Sequence, residues 1–247
     1  MKIIGSDYDG TLNHNGIDDA KRKTIEKWRA SGNVFAIVSG RGVEDMAKIY
    51  AEKKFGCDYF IADSGAVIMT PDGTVISEVR CDGNVAKPLI TKLFEIGCDS
   101  AFVHTEFPCS IFTDKEDVIK KGGIPFEDMP EIPWFTQIST FLPDIESAER
   151  VTATIRELFG DKVNPMQNGT CIDIVRNDMN KAKGLYILAE HLGAEYEDII
   201  AVGDNVNDRD MIAEFRSYAM ENGVDSIKAL SDYIISDVTE LIEKELE

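Results

Sequence analysis

Four short stretches of this 247-residue chain carry residue types that could do chemistry. Asp7-Tyr8-Asp9-Gly10-Thr11 follows the apolar run Lys2–Ser6. Two carboxylates therefore stand just past the carboxyl end of an expected strand, where open α/β sheets bind ligands. Ser39-Gly40-Arg41 follows a second apolar run and sets a hydroxyl and free backbone N–H groups before a helix start, a ready cradle for phosphate. Gly203-Asp204-Asn205-Val206-Asn207-Asp208 places two more carboxylates and two amides in a tight loop after a third run, and Lys181 adds an amine able to neutralise an anion. Each has a plainer reading alone, as a capped turn, a Ser-Gly turn, an acidic N-cap or a solvated lysine. Their recurrence at successive strand ends argues for one shared site.

The elements that would hold them follow from the apolar patterning. Lys2–Ser6, Val34–Val38 and Tyr59–Ala62 read as buried strands that alternate with helices. One helix is capped by Asp18 or Asp19, shows Ile25 and Trp28 on one face and stops at Gly32, and a second spans Val43–Lys54. Val67–Met69, Pro71-Asp72-Gly73 and Val75–Val79 predict a β-hairpin. From about Cys81 to about Asn177 the order becomes helix, strands, helix, strands, with Pro108, Pro125, Pro130, Pro133 and Pro143 as punctuation and Asp144–Phe159 as the longest helix. An antiparallel sheet with helices on one face produces that order. Alternation then resumes with a helix over Lys183–Leu192, a strand over Ile199–Val202, a helix over Asp208–Phe215, strands over Ser217–Met220 and Tyr233–Ile235, and a C-terminal helix. The reading is an α/β core domain from residues 1–81 and 178–247, interrupted by an inserted α+β domain of residues 82–177.

Composition removes several function classes. Hydrophobic residues make up 43% and charged residues 29%, ordinary globular usage that argues against collagen-like, disordered and membrane chains. Lys and Arg total 26 against 45 Asp and Glu, a formal net charge of −19 that repels a nucleic-acid backbone or an anionic bilayer. The five cysteines are odd in number and contain no Cys-x-x-Cys pair, which suits reduced, mostly buried thiols of a cytoplasmic protein. The first apolar run is too short for a signal peptide, and no apolar stretch reaches the length of a membrane span. There is no Gly-x-x-x-x-Gly-Lys-Ser/Thr, and Gly40-Arg41-Gly42 lacks the third glycine of a dinucleotide fingerprint, so ATP and NAD are not indicated.

Taken in order, the four motifs and the tail Ala219-Met220-Glu221-Asn222 resemble the haloacid dehalogenase superfamily, and within it the Cof-type phosphatases with a large type II cap inserted after the third core strand. The resemblance spans nearly the whole chain. It implies a Rossmann-like parallel-sheet core with an inserted α+β cap. It also implies Mg²⁺-dependent hydrolysis of a small phosphate monoester, a sugar phosphate or a phosphorylated cofactor, through an aspartyl-phosphate. By the same resemblance Asp7 is the nucleophile and Asp9 the general acid/base, while Ser39, Gly40, Lys181 and Asn207 contact the phosphate. Mg²⁺ would be held by Asp7, Asp204 and the backbone carbonyl of Asp9, with Asp208 supporting the metal's water or Lys181. This chain departs from the family in an inserted segment that is short for a Cof-type cap, with one repeat of its sheet expected to be trimmed, and in two motifs. The usual Lys-Gly is Lys181-Ala182, with Lys183 and Gly184 next, which makes Lys183 a rival; the spacing from Asp173-Ile174 favours Lys181. The usual Asn-Gly-Ala is Ser64-Gly65-Ala66.

The chemistry asks for these residue types whatever the name. A carboxylate approaching a phosphate meets a repulsion of about 4 kcal/mol per unit charge at 4 Å and an effective dielectric near 20. A hard divalent cation and a lysine cancel it, and a second carboxyl protonates the leaving oxygen and later activates water. A phosphomutase or other phosphotransferase of the same superfamily shares the nucleophile pair, and a non-enzymatic phospho-acceptor signalling domain shares the acidic cluster, metal and lysine. Because the core motifs recognise groups that every phosphate ester offers, the inserted segment is expected to select the substrate. Its crossings near Cys81-Asp82-Gly83 and Asn177-Asp178 are expected to act as hinges, and His104, Glu106, Trp134 and Phe135 are candidate contacts. Oligomeric state is not written in the sequence.

Overall fold

The computed structural model describes residues 1–53 and 55–247; Lys54, expected at the end of the second helix, lies outside the described residues. The chain runs β1 (Ile3–Asp7), α1 (Asp19–Ala30), β2 (Val34–Val38), α2 (Val43–Lys53), β3 (Tyr59–Ala62), β4 (Val67–Met69) and β5 (Val75–Glu78). It continues through β6 (Cys81–Asp82), α3 (Ala86–Glu95), β7 (Ser100–His104), β8 (Cys109–Phe112), α4 (Lys115–Lys121), β9 (Ile124–Pro125), β10 (Trp134–Phe135), β11 (Gln137–Phe141), α5 (Ile145–Phe159), β12 (Val163–Asn168) and β13 (Cys171–Arg176). The last stretch holds α6 (Lys181–Leu192), β14 (Ile199–Gly203), α7 (Arg209–Glu214), β15 (Arg216–Met220), α8 (Asp225–Lys228), β16 (Tyr233–Ile235) and α9 (Val238–Leu246). The chain divides into two compact units, Met1–Ser77 with Asn180–Glu247, and Glu78–Met179.

In the first unit the described strands form one sheet in the order β16-β15-β14-β1-β2-β3-β4-β5. Neighbours from β16 to β3 run parallel, and β4 turns back antiparallel on β3. Parallel strands with both faces covered read as continuous apolar runs, as Val34–Val38 does. Alternate residues of β2 serve opposite layers: Phe35 and Ile37 pack with Ile25, Trp28, Met46 and Leu241, while Val34, Ala36 and Val38 pack with Leu185, Leu188 and Ile212. Trp28 donates its indole N–H to the Val34 carbonyl at 2.8 Å, which satisfies the one polar atom of a fully buried ring. Asp18 is the cap of α1, accepting from Lys21 N–H at 2.8 Å. Among the described residues no helix is long and apolar enough to cross a membrane.

The C-terminal helix is fastened to this sheet through Glu245, whose side chain is 3% exposed. It accepts from the Tyr218 hydroxyl at 2.6 Å and pairs with Lys2 at 3.0 Å and Arg216 at 2.7 Å. Burial pushes its carboxyl up, but Tyr218, Lys2 and Arg216 outweigh burial and hold it below the ordinary glutamate value. The stabilisation is therefore complete above the unfolded glutamate pKa of about 4.3 and fades as pH falls through the lower folded value. Since Lys2 and Arg216 are half exposed, Glu245→Gln is expected to cost only about 1 to 2 kcal/mol at pH 7. Urea unfolding should show that gap closing below about pH 4, and an equal gap at pH 7 and pH 3 would refute the linkage.

The second unit contains a sheet in the order β12-β13-β11-β7-β8-β9, antiparallel except for the β8–β9 pair. Ala101, Val103, Ile138, Ile172 and Ile174 line one face, where Leu89, Ile90 and Leu93 of α3 and Ala148, Val151 and Ile155 of α5 cover them. Asp144 caps α5, accepting from Ser147 N–H at 2.7 Å.

The two stretches expected as hinges are pinned inside this unit. Cys81 and Asp82 pair with Phe135 and Trp134, Gly83 N–H donates to the Pro133 carbonyl at 3.2 Å, and the Arg80 guanidinium lies 3.7 Å over the Trp134 ring. Asn177 bonds the carbonyls of Lys162 and Asp161 at 3.1 and 2.7 Å, and Asp178 is clasped by Arg176. Small, polar residues here are engaged in backbone pairing and hydrogen bonds. The units accordingly change between Ser77 and Glu78 and between Met179 and Asn180. Phe135 is fully buried core, and Trp134 serves as a platform for Arg80.

Candidate active site

Strand order reverses at β1. From it the chain steps through β2 and β3 to one side and β14, β15 and β16 to the other, so the loops leaving β1, β2 and β14 diverge around a crevice at their carboxyl ends. Asp7 ends β1 and is 6% exposed; Ser39 and Asp204 directly follow β2 and β14.

Lys181 reaches this crevice from the first turn of α6. The helix starts two residues earlier than its apolar pattern indicates because Asn180 caps it: Asn180 Oδ1 accepts from Lys183 N–H at 2.8 Å, and its Nδ2 donates to Asp210 at 2.8 Å. This start turns Lys181 inward, 1% exposed, with Nζ 2.6 Å from Asp7 Oδ1 and 2.5 Å from Asp208 Oδ1. Lys183 points outward, 6.0 Å from the Tyr186 ring centre. Geometry thus sets Lys181 in the crevice and its rival Lys183 outside it, as the spacing favoured.

Asp208 is saturated. Its other oxygen accepts from Asp204 N–H at 2.9 Å and Asn205 N–H at 3.1 Å. Asp204 Oδ1 accepts from the Thr11 hydroxyl at 2.7 Å. Among the described residues Asp7 Oδ2 and Asp204 Oδ2 accept no hydrogen bond, and carboxylate oxygens of Asp7, Asp204 and Asp208 lie within 4.8 Å of one another. The wide turn after β1 fits closely around them. Gly10 has φ +82°, and a Cβ on it would stand 2.5 Å from Asp204 Oδ2, so only glycine fits; Asn222 Nδ2 holds its carbonyl at 2.9 Å.

The cluster is short of positive charge. Three carboxyls face the ammonium of Lys181, and with all three ionised two negative charges would be left uncompensated. Burial, and after it the Asp208 charge, pushes the Asp7 carboxyl well above its ordinary value despite Lys181; burial likewise raises Asp204, with Thr11 opposing. Burial alone would lower Lys181, but Asp208 and Asp7 together carry it above the usual lysine value. An all-oxygen donor set with two open carboxylate oxygens and a two-charge deficit fits a hard divalent cation of the Mg²⁺ type.

Asp9 stands apart from that cluster. It is exposed, and Arg41 grips both its oxygens, Nε at 2.6 Å and Nη2 at 2.9 Å. Arg41 was visible only as the third letter of Ser39-Gly40-Arg41, and no local signal pointed to this partner 32 residues away. Ser39 is buried, its N–H held by the Ile61 carbonyl at 2.9 Å and its Oγ accepting from Arg41 N–H at 3.2 Å; Gly40 beside it is partly exposed. Asn207 Oδ1 is buried without a hydrogen-bond partner among the described residues. Thr11 and Asn222, quoted only as parts of motifs, prove to hold Asp204 and Gly10.

A family profile of the haloacid dehalogenase-like hydrolases matches residues 4–241. The chain belongs to this family. The phosphatase YcsE of Bacillus subtilis, named for 5-amino-6-(5-phospho-D-ribitylamino)uracil, is 26% identical over 239 residues, covering 95% of this chain and 89% of that protein. Among solved structures, a haloacid dehalogenase-like hydrolase from B. subtilis superimposes with a TM-score of 0.83 at 18% identity, covering 98% of this chain and 99% of that one. A HAD subclass IIB sugar phosphatase gives a TM-score of 0.77 at 20% identity, with 99% of each chain covered. These two establish the shared fold, a parallel-sheet core with an inserted second domain, for this haloacid dehalogenase-like hydrolase.

Proposed function

We propose that this hydrolase is a Mg²⁺-dependent phosphatase of small phosphate monoesters, a sugar phosphate or a phosphorylated cofactor, working through an aspartyl-phosphate on Asp7. The observation that carries the reading is Asp7 itself: a buried carboxylate with one oxygen fixed by Lys181 and the other open, beside a second open carboxylate at Asp204. Asp7, Asp204 and the backbone carbonyl of Asp9 would hold the cation. When bound it supplies the positive charge that the cluster lacks and withdraws charge from the phosphate.

The chain's own groups do the rest. Lys181 holds Asp7 Oδ1, and Asp208 holds Lys181 in place. The Ser39-Gly40 turn and Asn207 would face the phosphate oxygens, and Asp9 would leave the Arg41 clasp to reach the departing oxygen. A carboxylate oxygen of Asp7 bonds to phosphorus as the ester P–O bond breaks, and Asp9 gives its proton to the departing oxygen. Asp9 then takes a proton from water, whose oxygen bonds to phosphorus; the acyl-phosphate P–O bond breaks, releasing inorganic phosphate and the free Asp7 carboxylate. YcsE and the sugar phosphatase, by their names, act on small hydroxylated phosphates, which supports the substrate class.

The test is phosphate release from a panel of small monoesters with Mg²⁺. Many phosphates released per chain, in step with substrate loss, are expected; a single phosphate per chain would mark a phospho-acceptor, and loss of substrate without free phosphate would mark a phosphotransferase. Chelation should abolish turnover and added Mg²⁺ restore it, and full activity after chelation would refute the metal assignment.

A further inference from the structure

Two successive residues that are not glycine, Asp63 and Ser64, hold φ of +49° and +53° while only 2% and 3% exposed. Left-handed backbone is unfavourable for side chains other than Gly, Asn and Asp, and it persists where the surroundings enforce it. Here the surroundings are the turn after β2. Asp63 N–H donates to the Arg41 carbonyl at 3.0 Å, and Ser64 N–H donates to the Ser39 carbonyl at 3.0 Å. Both acceptors belong to Ser39-Gly40-Arg41.

The other side of the same bend meets α6. Gly65 has φ +108°, and a Cβ on it would stand 2.1 Å from the Asn180 carbonyl oxygen and 3.3 Å from Lys181 N. Three residues beyond Lys181, a Cβ on Gly184 would stand 2.9 Å from Gly65 Cα. Backbone therefore touches backbone where the lysine-bearing helix begins. An extended chain at residues 63 and 64 would carry both amides away from Ser39 and Arg41 and withdraw Gly65 from the helix.

We propose that Asp63-Ser64-Gly65 is a splint that sets the separation between the Ser39–Arg41 turn and the first turn of α6, and hence between the groups that grip the phosphate. The proposal rests on the phosphatase reading. Ser64 and Gly65 are positioning residues that act through backbone, and the left-handed conformation rather than the Ser64 hydroxyl is what the site requires. The contact also accounts for Gly184.

The experiment compares Ser64→Gly, Ser64→Val and Gly65→Ala in the full chain, reading kcat, KM, inhibition by inorganic phosphate and the Mg²⁺ concentration for half activation. Glycine adopts the same φ without strain, so Ser64→Gly should stay within about twofold of wild type in all four. Ser64→Val and Gly65→Ala should weaken phosphate inhibition about tenfold and lower kcat/KM by about 10²-fold, the scale that a displacement near 1 Å costs. Half activation by Mg²⁺ should move less than phosphate inhibition does, because β1 and β14 carry Asp7 and Asp204 and only the Lys181 contact to Asp7 Oδ1 comes from a splinted element. Ser64→Gly losing as much as Ser64→Val would overturn the proposal and give the role to the hydroxyl. Unchanged phosphate inhibition in a folded Gly65→Ala would overturn it as well, and if that variant does not fold, the two Ser64 variants decide alone. A wild-type chain that neither binds nor releases phosphate would bring down the underlying reading; an active wild type with indifferent variants brings down the splint only.

Discussion

Asp7→Asn is expected to abolish turnover, with a loss of at least about 10⁴-fold, while the fold is retained. The amide is nearly isosteric, and its oxygen can still accept from Lys181, but it is neither a nucleophile toward phosphorus nor an anionic metal ligand. Replacing a buried carboxylate that sits between Asp204 and Asp208 also relieves like-charge repulsion, so thermal stability in the absence of metal should not fall and can rise. Higher stability with no activity distinguishes a chemical role from a structural one. Retention of a tenth of the wild-type rate would remove Asp7 from the reaction. Asp9→Asn is expected to behave differently, since attack on an ester with a good leaving group needs no proton while an alkyl phosphate does. Equal slowing of p-nitrophenyl phosphate and an alkyl phosphate would show that Asp9 is not the acid.

The second large effect is expected at Lys181. Lys181→Met removes the ammonium that bridges two buried carboxylates and leaves Asp7 and Asp208 without a counter-charge at 6% and 0% exposure. Breaking a buried pair in this way costs about 3 to 5 kcal/mol, and urea unfolding should show it. Turnover should fall by about 10³-fold or more, because Asp7 loses both its orientation and the charge that favours its ionised form. Lys181→Arg should not rescue, since a fork of donors does not fit the closed space between Asp7 and Asp208. Lys183→Met, at an exposed position two residues away, should change neither stability nor rate beyond about 0.5 kcal/mol and twofold. Comparable losses at Lys183 would reverse the choice between the two lysines.

Much of this architecture is written locally. Apolar runs with both neighbours buried give β1, β2 and β14, the Asp18 and Asp144 caps give the starts of α1 and α5, and the motif residues stand where a parallel sheet opens its carboxyl ends. Those signals act over a few residues, through periodicity, side-chain capping and turn chemistry, so a linear reading captures them. The partner of Cys81-Asp82 was not legible for the complementary reason: the strand that pairs with it, Trp134–Phe135, is more than fifty positions away.

The site's geometry belongs to that second kind of information. Which lysine enters the crevice depends on Asn180 capping a helix and on α6 packing against the Gly65 bend. The Asp7–Lys181 contact joins residues 174 positions apart, and the Asp9–Arg41 clasp joins residues 32 apart. No period or spacing encodes such pairings, because a distance between two strand ends is the sum of every layer packed between them. Residue identities therefore determined which groups the chain brings to the crevice, several carboxylates, a lysine and a Ser-Gly turn. Close packing determined which of those residues meet, because only burial in a shared crevice makes one lysine, and not its neighbour two positions on, the counter-charge to Asp7.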